Sequence, residues 1–417
     1  MPARLVIIGS GETSPTMVKV HRELIASVPR GDLTMLDTPF GFQANADDLT
    51  DKIAEYFRDS VGADLGVASW RRRDEPAAAR ERALARVGRS GWAFAGPGSP
   101  SYALRQWIDT PMPIGLAEIV HRGGTLVMGS AAAVTLGSHS LPVYEIYKVG
   151  EEPRWLPGLD LLGTLTGLSA AVIPHYDNRE GGRHDTRFCY MGETKLLELE
   201  TLLPADVGVL GVDEHTAVII DIEAGVAEVR GNGAMTLRHR DSERVVGTGE
   251  HVSVEDMRAA LQGRIDGPAR TSRTVVAEVA DEATEAPVGL RQSAALRREA
   301  FDVAIASAEA DAALEQALGL EQDIYDWSRD TLQSDDIDVA RATLRAMLVD
   351  LATAAQTGLR DEAEVIGPFV DLALGIRQRA RETKDFATSD VVRDGLIGLG
   401  IEVRDTPEGA VWERSVP

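Results

Sequence analysis

The sequence is poor in cysteine, in aromatic residues and in positive charge, and two of these shortages exclude whole classes of protein. One cysteine, Cys189, stands in 417 residues, so no disulfide can close within the chain and no cysteine-rich zinc site can be built. That usage predicts a reducing, cytoplasmic setting. Lys and Arg number 43 against 66 Asp and Glu, a formal net charge of −23. A protein that grips nucleic acid by broad phosphate neutralisation needs the opposite balance. No apolar run approaches the ~20 residues of a membrane-spanning helix, and the opening MPARLVIIGSGE has no apolar stretch of signal-peptide length. These absences leave a soluble, acidic, intracellular protein as the expectation. Hydrophobic residues still make up 44% of the chain, enough for real cores, and the length predicts two or three domains.

What is present alternates. Arg4–Ile8, Asp32–Leu36, Asp64–Ala68 and Trp92–Ala95 read as short strands, with helical patterns at Asp47–Phe57, Glu75–Val87 and Leu104–Trp107 between and after them. The rhythm predicts an α/β fold: a doubly wound, mostly parallel sheet with helices on both faces. In such sheets ligands gather at the carboxyl ends of the strands, so the loops Gly9–Ser14, Thr38–Asn45, Gly96–Ser101 and Gly129–Ala132 are where chemistry belongs. The first of these looks like a dinucleotide fingerprint, but it lacks the third glycine and an acidic ribose partner, so no cofactor is expected.

The centre of the chain is Gly123–Ser140, GGTLVMGSAAAVTLGSHS. An apolar strand meets a helical pattern at Ser130 among small residues. That layout suits a nucleophile elbow, and it equally suits a tightly packed helix start. Gly96-Pro97-Gly98 follows a strand and bares its backbone, as an oxyanion loop or an ordinary tight turn would. Val172-Ile173-Pro174-His175 runs an apolar strand out into one of only eight histidines, placed as a general base or as a polar surface residue. Arg179, Arg183 and Arg187 follow within a few positions, and arginine's planar fork is a natural clamp for a carboxylate. Val207–Asp221 reads as two strands around a turn, Gly231–Gly233 as a further turn, and Val254–Leu261 as a closing helix.

Taken in order, Ile7–Thr13, Phe94–Ser99, Leu126–Ala133, Ile173–Arg187 and Gly208–Val218 resemble the cyanophycinase and aspartyl dipeptidase (peptidase E-like) serine peptidases, over about residues 4–255. The resemblance implies a fold close to type 1 glutamine amidotransferases and a Ser-His-acid hydrolase with no metal. It places the nucleophile on Ser130, the base on His175 and the third, acidic member on Glu145, with Glu151 as the weaker choice. The oxyanion donors fall on the backbone N–H groups of Gly98 and Ala131. Arg179, Arg183 and Arg187 would hold an acidic side chain or terminal carboxylate of a small peptide substrate. The Gly211–Ala217 element matches the family closely and reads as structural support. Two departures stand out. Met128 and Ala132 replace both glycines of the family's Gly-x-Ser-Ala-Gly elbow, and Gly96-Pro97-Gly98-Ser99-Pro100 lacks the family's Asn or Asp-Gln. They predict a changed substrate or a member without activity. Cys189 reads as a buried apolar residue.

The remaining third divides the chain into a hydrolase domain (1–262), a linker rich in Pro, Gly, Ala and Thr (263–289) and a helical domain (290–417). Lys384–Asp394, Gly400–Val403, Asp405–Gly409 and Trp412 resemble the C-terminal end of cysteinyl-tRNA synthetases almost position by position. The synthetase's nucleotide-binding signatures and zinc-binding cysteines are absent, so no tRNA charging is expected. Residues 288–417 hold 14 Lys and Arg against 25 Asp and Glu, a net of 14 − 25 = −11. That balance favours a protein partner or self-association over tRNA, unless Arg377, Arg379, Arg381, Lys384 and Arg393 gather into a local basic face.

Overall fold

The computed structural model describes residues 3–414 apart from 29, 180–183, 265–288, 329, 331–334, 358–361 and 407–408. The chain forms two compact units, one of Met1–Ser293 with Gln322–Ala340 and one of Ala294–Glu321 with Arg341–Pro417. The expected linker falls almost wholly outside the described residues. No helix among the described residues is long and apolar enough to cross a membrane.

In chain order the first unit runs β1 (Arg4–Ile8), α1 (Val18–Ala26), β2 (Asp32–Leu36), α2 (Ala46–Glu55), β3 (Gly66–Ala68), α3 (Ala77–Arg89), β4 (Ser90–Ala95), α4 (Pro100–Trp107), α5 (Met112–His121), β5 (Thr125–Gly129) and α6 (Ser130–Val134). It continues with β6 (His139–Ser140), β7 (Leu156–Pro157), α7 (Leu161–Thr166), β8 (Ala170–Ile173), α8 (Gly192–Thr201), β9 (Gly208–Val212), β10 (Thr216–Asp221), β11 (Val226–Gly231), β12 (Ala234–His239), β13 (Ser242–Gly247), β14 (His251–Ser253) and α9 (Val254–Leu261). The main sheet has the order β14-β11-β10-β1-β5-β4-β2-β3. Its five strands from β1 to β3 are parallel, and β10, β11 and β14 are antiparallel additions.

Strand β1 shows why the sheet is covered on both sides. Leu5 and Ile7 enter one core with Val87 of α3 and Ile119 of α5, while Val6 and Ile8 enter the other with Leu24 of α1 and Ile53 of α2. Four consecutive apolar residues, Leu5 to Ile8, place apolar side chains on both faces, as a doubly wound sheet requires.

A second sheet, β13-β12-β9-β8, stands apart from the first, and β8, the strand that leads to His175, lies in it. Periodicity identifies a strand but not its partners, and β8 pairs in parallel with β9, which is distant in sequence. The turn Asp213–His215 carries the chain from β9 in the second sheet to β10 in the first. That crossing brings the two sheets' ends together.

The C-terminal elements are α10 (Leu290–Ala306), α11 (Ala310–Trp327), α12 (Asp336–Thr357), α13 (Glu362–Glu382), α14 (Phe386–Gly398) and the antiparallel hairpin β15 (Ile401–Thr406) to β16 (Gly409–Arg414). Asp385 caps α14 by accepting from the Thr388 N–H at 3.2 Å and its hydroxyl at 2.7 Å. Val370, Leu374, Leu396 and Ile401 form a small core against which Trp412 packs. Of the five basic residues singled out above, Arg377 is buried and Arg393 pairs with Asp390 and Asp394.

Candidate active site

Strand β5 ends at Gly129 and α6 begins at once with Ser130, whose φ is +46°. A left-handed backbone at a non-glycine residue is strained, and it persists only where the surroundings impose it. Here they do. The Ala132 N–H donates to the Gly96 carbonyl at 3.2 Å, tying the first turn of α6 to the loop after β4. Met128 and Ala132, which replace the two family glycines, are fully buried in the core of the sheet. Their side chains therefore fill that core rather than crowd the turn. The close approach is at Gly129, where an added Cβ would stand 3.2 Å from the Glu12 Cδ.

The histidine arrives from the other sheet. Its N–H donates to the Gly9 carbonyl at 3.2 Å, and the next N–H, of Tyr176, donates to the Val212 carbonyl at 3.1 Å. The loop is thus pinned at the ends of β1 and β9. His175 also has a left-handed backbone, with φ +49°, and is buried. Its Nε2 lies 3.1 Å from the Ser130 Oγ. Its Nδ1 lies 2.8 Å from the Glu214 Oε1.

Both ring nitrogens are therefore engaged, and the acid at Nδ1 is Glu214. This corrects the assignment of Glu145. Glu145 opens a single wide helical turn, Glu145–Val149, and accepts from the Ser101 hydroxyl at 2.8 Å. Glu151 pairs with Arg154. Glu214 reaches the imidazole from the β9–β10 crossing, not from the segment that follows the serine. Glu214 belongs to the Gly211–Ala217 element, for which the sequence predicts structural support; its carboxylate instead meets the imidazole.

Glu214 is held in place from several sides. The Asn178 Nδ2 donates to the same Oε1 at 3.1 Å, and the Glu214 N–H donates to Asp177 Oδ1 at 2.8 Å. Burial works to raise its carboxyl, but hydrogen bonds from His175 and Asn178 and the charge of nearby imidazoles outweigh it and hold the group below its ordinary value. An ionised acid that accepts the Nδ1–H leaves the Nε2 lone pair facing Ser130.

Gly98, the expected oxyanion donor, has φ +141°, and a Cβ there would lie 2.1 Å from the Pro39 carbonyl oxygen. Only glycine fits. The neighbouring Ser99 N–H donates to that same carbonyl at 2.8 Å. Gly98→Ala is expected to cost about 2 kcal/mol or more of stability and to displace the loop, read by thermal unfolding together with loss of Ser130 reactivity. Ala131 lies in the first turn of α6, where backbone N–H groups lack intrahelical acceptors.

The three arginines differ. Arg179 is exposed beside Asn178, and Arg183 lies outside the described residues. Arg187 makes two bonds of 2.9 Å to the Asp185 carboxylate, reaches Glu193 at 3.3 Å and lies over the Phe188 ring. Its fork is committed within the loop, and Asp185 is held well below the usual carboxylate range by that bond. Cys189 is buried, which pushes its thiol up and leaves it inert.

No family model matches the chain. Two solved proteins described as peptidases are similar to it. One, from an acI-B1 Actinobacterium, is 20% identical with a TM-score of 0.49, covering 61% of this chain and 97% of that one. The other, described as a peptidase E from Listeria monocytogenes EGD-e, is 14% identical with a TM-score of 0.37, covering 55% and 98%. Curated relatives match the C-terminal region instead. A cysteine–tRNA ligase of Porphyromonas gingivalis is 40% identical over 90 residues, 20% of this chain and 17% of the ligase. That of Arthrobacter sp. is 34% identical over 169 residues, 38% and 33%. That of Maridesulfovibrio salexigens is 60% identical over 43 residues, 10% and 9%. The chain thus spans a third or less of the length of these ligases.

Proposed function

We propose that the chain is a serine hydrolase that cleaves a peptide or isopeptide bond in a small substrate through Ser130, His175 and Glu214. One observation carries the reading: the unbroken line of hydrogen bonds from the Ser130 Oγ through both nitrogens of His175 to Glu214. A binding protein that had lost its chemistry would have no need to keep a strained serine aimed at an oriented imidazole.

The steps follow from the roles. Ser130 Oγ attacks the carbonyl carbon while His175 Nε2 takes its proton. The resulting oxyanion faces the backbone N–H groups of Gly98 and Ala131. The tetrahedral intermediate collapses, the C–N bond breaks, and His175 returns the proton to the leaving amine. Water then attacks the acyl-enzyme with its proton passing to His175, which hands it back to Ser130 as the carboxylic product departs. Glu214 fixes the tautomer and stabilises the imidazolium. Among the described arginines of the loop, Arg187 is engaged by Asp185 and Glu193, so the exposed Arg179 is the one we assign to meet a substrate carboxylate.

The test is amine release from a panel of short peptides and β- and γ-linked isopeptides with acidic residues. Turnover that requires Ser130 is the expected result. A folded protein that hydrolyses none of them, or hydrolyses them equally as Ser130→Ala, contradicts the proposal.

A further inference from the structure

Beneath the elbow lies a carboxyl group that the reaction above does not use. Glu12 follows the end of β1 and is almost completely buried. Its side chain is wedged between the two segments that build the site. The Cδ and Oε1 lie 3.2 and 3.3 Å from where a Cβ on Gly129 would stand, and Oε1 lies 3.0 Å from the same point on Gly96. Gly129 precedes the nucleophile, and the carbonyl of Gly96 accepts the Ala132 N–H. The buried Oε1 has no hydrogen-bond partner. A buried carboxylate oxygen without a hydrogen-bond partner is costly.

The groups around it explain how it is tolerated. Burial and the Asp330 carboxylate push the Glu12 carboxyl up, opposed by its own backbone N–H and by His175, to about 7. Asp330 is held to the adjoining residue by the Thr13 hydroxyl at 3.3 Å. The Tyr56 phenol, pushed up by burial, donates to the Ser14 carbonyl at 2.9 Å. His21 is neutral, lowered to about 4 by burial, and its Nε2 donates to the Glu12 carbonyl at 2.7 Å.

We infer that Glu12 is a proton-holding positioning residue for the nucleophile: a neutral carboxyl packs the elbow against the Gly96 loop, and its ionisation switches Ser130 off. The inference rests on the proposed role of Ser130. An anion at this point opposes the oxyanion that the Gly98 and Ala131 N–H groups would stabilise. That opposition lowers reactivity as pH rises.

The experiment measures the second-order rate of labelling by a fluorophosphonate, together with thermal unfolding, from pH 5 to 9 on the intact chain and on Glu12→Gln. For the unsubstituted chain the labelling rate is expected to fall about tenfold or more between pH 7 and 9. In Glu12→Gln, normalised to its own value at pH 7, it stays within about twofold. The stability readout has a defined sign. A carboxyl raised in the folded state binds more protons folded than unfolded between the two values, so its contribution is present below the unfolded value and lost as pH rises to about 7. Glu12→Gln lacks that loss, so its unfolding temperature should gain on the unsubstituted chain between pH 5 and 8. Parallel alkaline falls in both proteins, or an unfolding difference that does not change with pH, overturn the inference. No labelling at any pH in either protein refutes the nucleophile instead, and the unfolding difference then decides the state of Glu12 by itself.

Discussion

Replacing Ser130 with alanine is expected to lower hydrolysis by on the order of 10⁴-fold or more, with little effect on folding. The basis is the single 3.1 Å contact between Oγ and Nε2, the only route by which this hydroxyl can lose its proton to His175. Alanine keeps the strained backbone and removes only the hydroxyl. The unfolding temperature should therefore move by no more than about 2 °C. Ser130→Gly provides the complementary result. It relieves the left-handed conformation at φ +46° and is expected to gain about 1 kcal/mol while abolishing activity. Activity assays and thermal scans on the three proteins separate the chemical role from the structural one. A site that stores strain for function should show this opposition.

The second large effect is expected at Glu214 and not at Glu145. Glu214→Gln keeps the shape but removes the charge that accepts the Nδ1–H and stabilises the imidazolium, and a loss on the order of 10³-fold or more in kcat should follow. Glu145→Gln disturbs one bond, from the Ser101 hydroxyl, and should cost less than about tenfold. Steady-state rates on the two variants check the pair. Equal losses, or a larger loss at Glu145, contradict the geometry. Because Glu214 is held below its ordinary value, it stays ionised across the neutral range, so its own titration adds no step to the pH profile there.

The contrast between these two acids shows how far sequence reasoning reached. Ser130 and His175, whose Oγ and Nε2 stand 3.1 Å apart, are conspicuous in the sequence because each follows a short apolar strand, a purely local pattern. The helix Val254–Leu261 and the turn at Gly231–Gly233 were legible for the same reason. Glu214 lies 39 residues beyond His175 and reaches it only because β9 and β10 belong to different sheets. That pairing is set by long-range contacts, which no spacing rule after the serine encodes. The pairing of β8 with β9 in the second sheet is long-range in the same way.

The missing elbow glycines carry a related lesson. Met128 and Ala132 read as damage when the motif is compared letter by letter. In three dimensions both side chains point into the core, and the crowded position is Gly129, which is retained. Glu12 explains that crowding, yet nothing about the loop Gly9–Thr13 marks it as lying beneath the nucleophile. Burial and close approach are properties of the fold, and they appear only once β1 and β5 are set side by side.

The most direct test maps the residue modified by a fluorophosphonate, by proteolysis and mass spectrometry of the labelled chain. A single adduct on the peptide containing Ser130, absent from Ser130→Ala and strongly slowed in Glu214→Gln, is the predicted result. An adduct on another residue, or a folded chain that hydrolyses peptides with Ser130 unmodified, would contradict the account.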